Sequence, residues 1–242
     1  MAKKSSSWNT TCKRFVAFFD ILGFKDMVLR HSHEEVYEML KSFSSAIAVL
    51  DYDMQFISPG AVVRIITKPV VFSDSIILIS NDDSMDSALN ILSDAGSIII
   101  NAIKRKIPIK GAIAHGEQTA DLKKSIHFGR PLIDAFELQN ELQLYGVVLH
   151  YTMEKHLVET GNIAICEYDS IFKYPVPMKN GKIIHYIVDW LSLSEGEVNW
   201  IESVSQLYKD ISGNPRLYVD NTVDCVRLLI TRKEEREKKI KP

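Results

Sequence analysis

The sequence predicts an α+β fold of ferredoxin-like type: a mixed, mostly antiparallel sheet with flanking helices, followed by a C-terminal α/β extension. Three observations carry this expectation. Apolar runs of strand length and amphipathic helices follow one another in the order strand, helix, hairpin, helix, strand. Two of the apolar runs end on an aspartate beside turn residues, in Phe19-Asp20-Ile21-Leu22-Gly23 and in Phe72-Ser73-Asp74-Ser75. A hydrophobic content of 46% over 242 residues is ample for one large core.

Each element has its own signal. Residues 1–12 are polar and lack a signal-peptide core, which predicts a flexible N-terminus ahead of a single domain over 13–242, with its core at 13–145 and its extension at 146–242. Arg14 to Phe19 is rich in strand formers. A helix is expected from Ser32 or His33 through Asp51, because Val36, Met39, Leu40, Phe43, Ile47 and Leu50 fall on one face. Ala61 to Thr67 and Pro69 to Ser80 read as strands, the second folding into a hairpin with Ser73-Asp74-Ser75 at its polar tip. Ser84 caps a helix running to Lys106, with Leu89, Leu92, Ala95, Ile99 and Ile103 on its apolar face. Ile109 to Glu117 is the next strand, and Pro131 suits the first turn of a helix to about Leu144.

Beyond Tyr145 the pattern thins. Gly146 to Leu149 and Lys182 to Trp190 read as strands, Glu195 to Ile211 and Pro215 to Lys239 as helices, with Trp190 and Trp200 as apolar anchors. The run from Lys233 to Lys239 reads as a solvated, ion-paired face. Lys179 and Lys182 flank Asn180-Gly181, a strong hairpin turn, and are also candidates for a phosphate contact.

Composition excludes several classes. A formal net charge of -2 argues against broad nucleic-acid binding. No apolar run approaches a membrane span of roughly 18 residues, so a cytoplasmic protein is expected. Cys12, Cys166 and Cys225 are odd in number and widely spaced, suggesting free thiols in a reducing compartment and no zinc pattern. The seven histidines form no ligand set by spacing, and His115 has no partner visible in the sequence.

The chemistry-bearing positions are the two aspartates. Asp20 lies at a strand end, where it serves either as a metal ligand or as the cap of the following helix. Gly23 lets the backbone turn closely enough for amides to face phosphate. Asp74 is either an ordinary turn residue or, should the tip lie beside the first strand, the second carboxylate of a shared site. Lys110, beside Pro108 at a strand start, reads as a phosphate contact or a solvated charge.

The combination resembles the class III nucleotidyl cyclase catalytic domain, whose Asp-Ile-x-Gly-Phe turn and later Asp-Ser hairpin match Asp20 to Phe24 and Asp74-Ser75. The likeness continues through Lys110-Gly111-Ala112-Ile113 and through Gly129-Arg130-Pro131-Leu132-Ile133, covering residues 13–145. Four positions depart from the adenylyl and guanylyl pattern. Base-reading residues become Val70 and Ile126, and the phosphate-stabilising Asn and Arg fall on Ile133 and Glu137, which cannot donate as amide and guanidinium do. The full wording, Phe-x-Asp-Ile-Leu-Gly-Phe with Gly-x-Pro-Leu-Ile-x-Ala-x-Glu-Leu, looks like the bacterial pyrimidine cyclases of the Pycsar anti-phage systems, whose basic residue in the glycine motif is usually Arg where Lys110 stands here.

The resemblance implies conversion of UTP, or next CTP, to cyclic UMP or cyclic CMP, a messenger for a separate cyclic-nucleotide-sensing effector. It further implies two divalent ions, Mn²⁺ or Mg²⁺, held by Asp20, Asp74 and the Ile21 carbonyl; phosphates steadied by the Gly23 and Phe24 amides and by Lys110; and a homodimer with sites at the subunit interface. No nucleic acid or membrane enters this expectation. Two alternatives stand beside it: a catalytically silent nucleotide-binding dimerisation module, and a purine cyclase or palm-polymerase relative. The second lacks any Gly-Gly-Asp-Glu-Phe signature.

Overall fold

The computed structural model describes residues 8–51, 67–194, 196, 198–208 and 213–240. The first strand, β1 (Thr11–Ile21), lies in the middle of an eight-stranded sheet. Beyond the short α1 (Phe24–Arg30), helix α2 (His33–Asp51) begins where Ser32 and Glu35 cap each other, the Ser32 amide donating to Glu35 Oε2 at 2.8 Å and the Glu35 amide to Ser32 Oγ at 3.3 Å. The hairpin β2 (Thr67–Phe72) and β3 (Ser75–Ser80) follows, then α3 (Met85–Lys104), β4 (Ile109–Asp121), β5 (Ile126–Gly129) and α4 (Arg130–Glu141). The rest comprises β6 (Val147–Leu149), α5 (Tyr151–Glu159), α6 (Ile163–Asp169), β7 (Ile171–Met178), β8 (Gly181–Val188), α7 (Trp200–Ser205) and α8 (Asn214–Ile240).

Among the described residues the strand order is β2-β3-β1-β4-β6-β8-β7, with β5 paired to β4, and each pairing is antiparallel except β4 with β6. Alternation along β1 divides the interior. Phe15, Ala17, Phe19 and Ile21 enter the main core with Ile91, Ile98 and Ile99 of α3, while Phe18 meets Ala114 and Ala135 on the α4 side. Gly111 is required by this packing, since a Cβ there would stand 2.6 Å from Phe19 Cδ1.

Most predicted elements are present, with differences that have physical causes. The expected strand Ala61 to Thr67 lies outside the described residues except for Thr67, which opens β2. Helix α1 was not anticipated: its seven residues are too few to show a helical period, and Phe24 and Met27 pack only partly buried against the core. Residues 8–12, expected in a flexible N-terminus, include the start of β1, and Trp8 Nε1 donates to the Ala120 carbonyl at 2.8 Å. Helix α4 stops at Glu141, short of Leu144, where the chain turns toward β7 through a Leu142–Met178 bridge. The strand β7 carries Pro175 and Pro177, which masked it; among the described residues its partner strand is β8, and its place at the sheet edge leaves it needing fewer ladder donors.

The C-terminal half corrects two expectations. Glu195 to Ile211 contains a shorter helix, α7, followed by a 3-10 turn at Gln206–Tyr208. The charged run at the end of α8 is not simply solvated: Arg236 and Arg232 reach Asp189 at 3.1 and 3.5 Å, and Lys233 donates to the Ser194 carbonyl at 2.8 Å. Trp190 and Trp200 are buried edge to face at 5.2 Å, as anchors should be. Among the described residues, no helix is long and apolar enough to cross a membrane.

Candidate active site

Asp20 is the next-to-last residue of β1, on the sheet face that α4 covers. The β2–β3 hairpin turns at Ser73-Asp74, with Ser73 in a left-handed conformation at φ 56°. Antiparallel pairing sets Ser75 opposite Asp20, and the Ile21 amide donates to the Asp74 carbonyl at 3.0 Å. The hairpin tip is thus tied by backbone bonds to the end of β1, which brings the two aspartates together. Helix α1 has Gly23 as its N-cap and no side-chain capping bond, so Asp20 is not the cap of that helix.

Electrostatics record this proximity. Burial raises the Asp20 carboxyl above its ordinary pKa of 3.8; the negative charge of Asp74 raises it further, and Lys110 partly offsets both. A carboxylate pair under mutual repulsion is relieved by a cation between its oxygens. Oxygen donors of this kind suit hard ions such as Mg²⁺ and Mn²⁺.

Gly23 is left-handed at φ 71°, and its carbonyl accepts the first bond of α1, from the Met27 amide at 3.0 Å. The amides of the opening turn, including that of Phe24, precede the first intrahelical donor. Lys110 pairs directly across from Asp20 but is only 4% exposed, and its ammonium donates to the Leu142 and Asn140 carbonyls at 3.3 and 3.4 Å. Burial pushes its pKa down to about 8 although Asp20 pulls it up.

Sequence reasoning missed Tyr218. This residue of α8 lies 5.6 Å below the Lys110 ammonium and stacks on Tyr145, and Asp20 adds to the burial that raises its pKa. Asn221 Nδ2 donates to the Gln143 carbonyl at 2.7 Å, and Thr222 Oγ1 accepts from the Tyr145 amide at 2.8 Å, holding α8 here. No local motif marks such a contact, because it joins α8 to residues far back in the sequence.

The departing positions are placed as follows. Ile133 and Glu137 share the outward face of α4 with Phe136, while Pro131, Asp134, Ala135 and Gln139 face inward. Val70 is half-buried on β2 opposite Ile77, and Ile126 is exposed on β5 opposite Asp121. Lys179 and Lys182 border a hairpin turn in which Gly181 has φ 120°, and Lys179 lies 3.7 Å from Glu141.

The histidines require a correction. His115 does have partners: it joins His156 and Asp83 in a cluster whose ligand atoms lie within 4.8 Å of one another and could hold a metal ion. Separation in sequence hid this, since the three come from a loop, a strand and a helix. The three cysteines are free thiols, and burial pushes Cys166 up to about 11 and Cys225 up to about 12, so neither is a thiolate at neutral pH.

This architecture is the class III cyclase fold, found in solved structures of adenylyl and guanylyl cyclases. The catalytic core of a rhodopsin-guanylyl cyclase with converted specificity, in complex with ATPalphaS, is similar with a TM-score of 0.51 at 14% identity, covering 74% of this chain and 98% of that one. The adenylyl cyclase CyaB from P. aeruginosa gives 0.53 at 11% identity, over 77% of this chain and 96% of that one. The monomeric guanylyl cyclase domain of the RhoGC fusion protein from the aquatic fungus Blastocladiella emersonii gives 0.51 at 12%, over 75% and 98%. No protein-family model matches the chain, and no curated protein matches it by sequence. At such identities the shared feature is the fold.

Proposed function

We propose that this protein is a nucleotidyl cyclase that converts a pyrimidine nucleoside triphosphate, UTP before CTP, into its 3′,5′-cyclic monophosphate and pyrophosphate. The observation that carries the proposal is the backbone tie between the hairpin tip and β1, which sets Asp74 beside Asp20 in a cyclase fold. Asp20, Asp74 and the Ile21 carbonyl are the proposed ligands of two divalent ions, Mn²⁺ or Mg²⁺. When bound, such ions lower the pKa of the ribose 3′-hydroxyl and neutralise the triphosphate. The 3′-oxygen forms a bond to the α-phosphorus as the bond to the bridging oxygen breaks; the hydroxyl proton goes to solvent and pyrophosphate leaves with the electron pair.

Gly23 and Phe24 offer their amides to the phosphates at the opening of α1. The role of Lys110 narrows: with its ammonium on the α4 carbonyls, it contributes charge behind Asp20 and fixes the end of α4. The apolar Val70 and Ile126 at base-reading positions support a pyrimidine substrate, and the motif wording supports UTP and a role in anti-phage signalling through a separate effector. Exposed Phe72, Phe128, Ile133 and Phe136 support a head-to-tail homodimer with sites at its interface.

One observation favours a second reading, a silent nucleotide-binding dimerisation module: the outward face of α4 offers Ile133 and Glu137 where amide and guanidinium donors are expected. Incubating the purified protein with each of the four ribonucleoside triphosphates and Mn²⁺ or Mg²⁺, with products resolved by mass, separates the readings. Cyclic UMP or cyclic CMP is expected. Cyclic AMP as the main product would refute the pyrimidine assignment, and bound nucleotide without any cyclic product would establish the silent module.

A further inference from the structure

We infer that Asp83, His115 and His156 form a second metal site, for a transition ion of the zinc class, distinct from the Asp20–Asp74 pair. One ligand atom from each residue lies within 4.8 Å of the other two. His115 Nε2 stands 3.2 Å from Asp83 Oδ2, close to the roughly 3.3 Å between two ligands of a tetrahedral zinc. His156 Nε2 lies 3.1 Å from the Asp83 carbonyl, and the two imidazole rings are 4.0 Å apart at 31°.

Each ligand is delivered by an independently anchored backbone. Asp82 Oδ1 accepts from the Ser84 amide at 3.1 Å and from the Ser84 and Ser87 hydroxyls at 2.6 Å, fixing the loop that presents Asp83. Thr152 Oγ1 accepts from the His115 amide at 3.0 Å and so latches the first turn of α5 to β4. His156 is four residues further along α5, on the same helix face. Such fixed approach is what a metal site needs before the ion arrives.

The surroundings fit an open three-ligand site. The Phe15 ring lies 5.3 and 5.5 Å from the two imidazoles and walls off one side. The Asp83 side chain is 35% exposed, leaving an entry path and a fourth position for water. Asp83 supplies the carboxylate of the cluster.

Chemistry and place separate this site from the first. Two imidazoles and one carboxylate suit zinc, whereas the oxygen-only pair suits Mg²⁺ or Mn²⁺. His115 pairs with Phe15 and Lys110 with Asp20 on the same two strands. Five residues of strand put them about 17 Å apart, on opposite faces of the sheet. An ion here joins the loop before α3, the strand β4 and the helix α5.

The test uses full-length protein stripped with EDTA and desalted, titrated with Zn²⁺ by calorimetry and with Co²⁺ by visible absorption. One equivalent of each is expected, with the d–d bands of tetrahedral Co²⁺ and a rise in Tm, and both persist in the Asp20→Asn/Asp74→Asn double variant. His156→Gln and Asp83→Asn are each expected to weaken Zn²⁺ binding by about 100-fold or more and to abolish the Tm rise. Wild-type Zn²⁺ affinity in Asp83→Asn, or loss of the Co²⁺ bands in the double variant, would overturn the site. Asp83→Asn, on a partly exposed loop residue, decides the matter if His156→Gln does not fold.

Discussion

Gly111→Ala tests whether β4 holds β1 as closely as the structure requires. A Cβ at Gly111 would stand 2.6 Å from Phe19 Cδ1 and 2.9 Å from the Phe18 carbonyl oxygen, against an ordinary carbon contact of about 3.5–4.0 Å. Relief needs a shift of about 1 Å in β1 or in the Phe19 ring. Phe19 is fully buried and the Phe18 oxygen is backbone, so the strain is not absorbed by a flexible side chain. Overpacking of this kind costs about 1–3 kcal/mol. Because Asp20 follows Phe19 directly, the displacement also reaches the carboxylate, and a misplacement of about 1 Å lowers turnover by about 100-fold. Gly116→Ala on the same strand is the control: the nearest atoms to its Cβ would belong to the Pro131 ring, none closer than 3.3 Å. Urea unfolding followed by circular dichroism, with cyclic-product formation measured on the same samples, reads both effects. A Gly111→Ala protein as stable and as active as Gly116→Ala would show that the β1–β4 packing does not position the site.

Further outcomes follow from other parts of the structure. Asp20→Asn and Asp74→Asn should each reduce cyclic-product formation by about a thousandfold, equivalent to about 4 kcal/mol of transition-state stabilisation, with unchanged far-ultraviolet dichroism; a variant retaining turnover would remove its carboxylate from the mechanism. Burial raises Asp94 on α3 from 3.8 to about 6, so the folded state holds its proton more tightly than the unfolded state, and the associated stability is present below pH 4 and lost as pH rises through about 6. That loss is about 3 kcal/mol at most, so Asp94→Asn should match the wild type near pH 4 and exceed it at pH 7 in urea unfolding, and equal stabilities at both pH values would contradict the assignment. Asp189 is 1% exposed against Arg232 and Arg236, so Asp189→Ala leaves two guanidinium groups without their acceptor and should cost about 3 kcal/mol, read as earlier proteolysis of α8. Unaltered protease resistance would mean the helix end is held by other contacts.

The recoverable part of this fold was carried by short-range pattern. The stripe on α3 and its Ser84 cap announced the helix because propensity, capping and burial agree there. The elements without a sequence signal lacked that agreement: α1 is a seven-residue helix with no fully buried residue, and β7 carries two prolines that argue against a strand until its place at the sheet edge is known. The candidate site divides the same way. Asp20 and Asp74 stand out because each ends an apolar run, whereas Tyr218, Asp83 and His156 carry no local signature.

By itself, then, the sequence determined the identity of the two carboxylates, the turn glycine, the hairpin tip and the apolar substitutions at Val70, Ile126 and Ile133. These are decisions of residue type, and residue type sets what a position can donate, accept or bury. Tertiary structure alone decided that Asp74 lies beside Asp20, that Lys110 is spent on the end of α4, that α8 brings Tyr218 to the site, and that two histidines and an aspartate from distant segments converge. The physical reason is that these are contacts between surfaces. Strand register and side-chain alternation fix which residues meet, and both depend on the partner strand as much as on the strand itself.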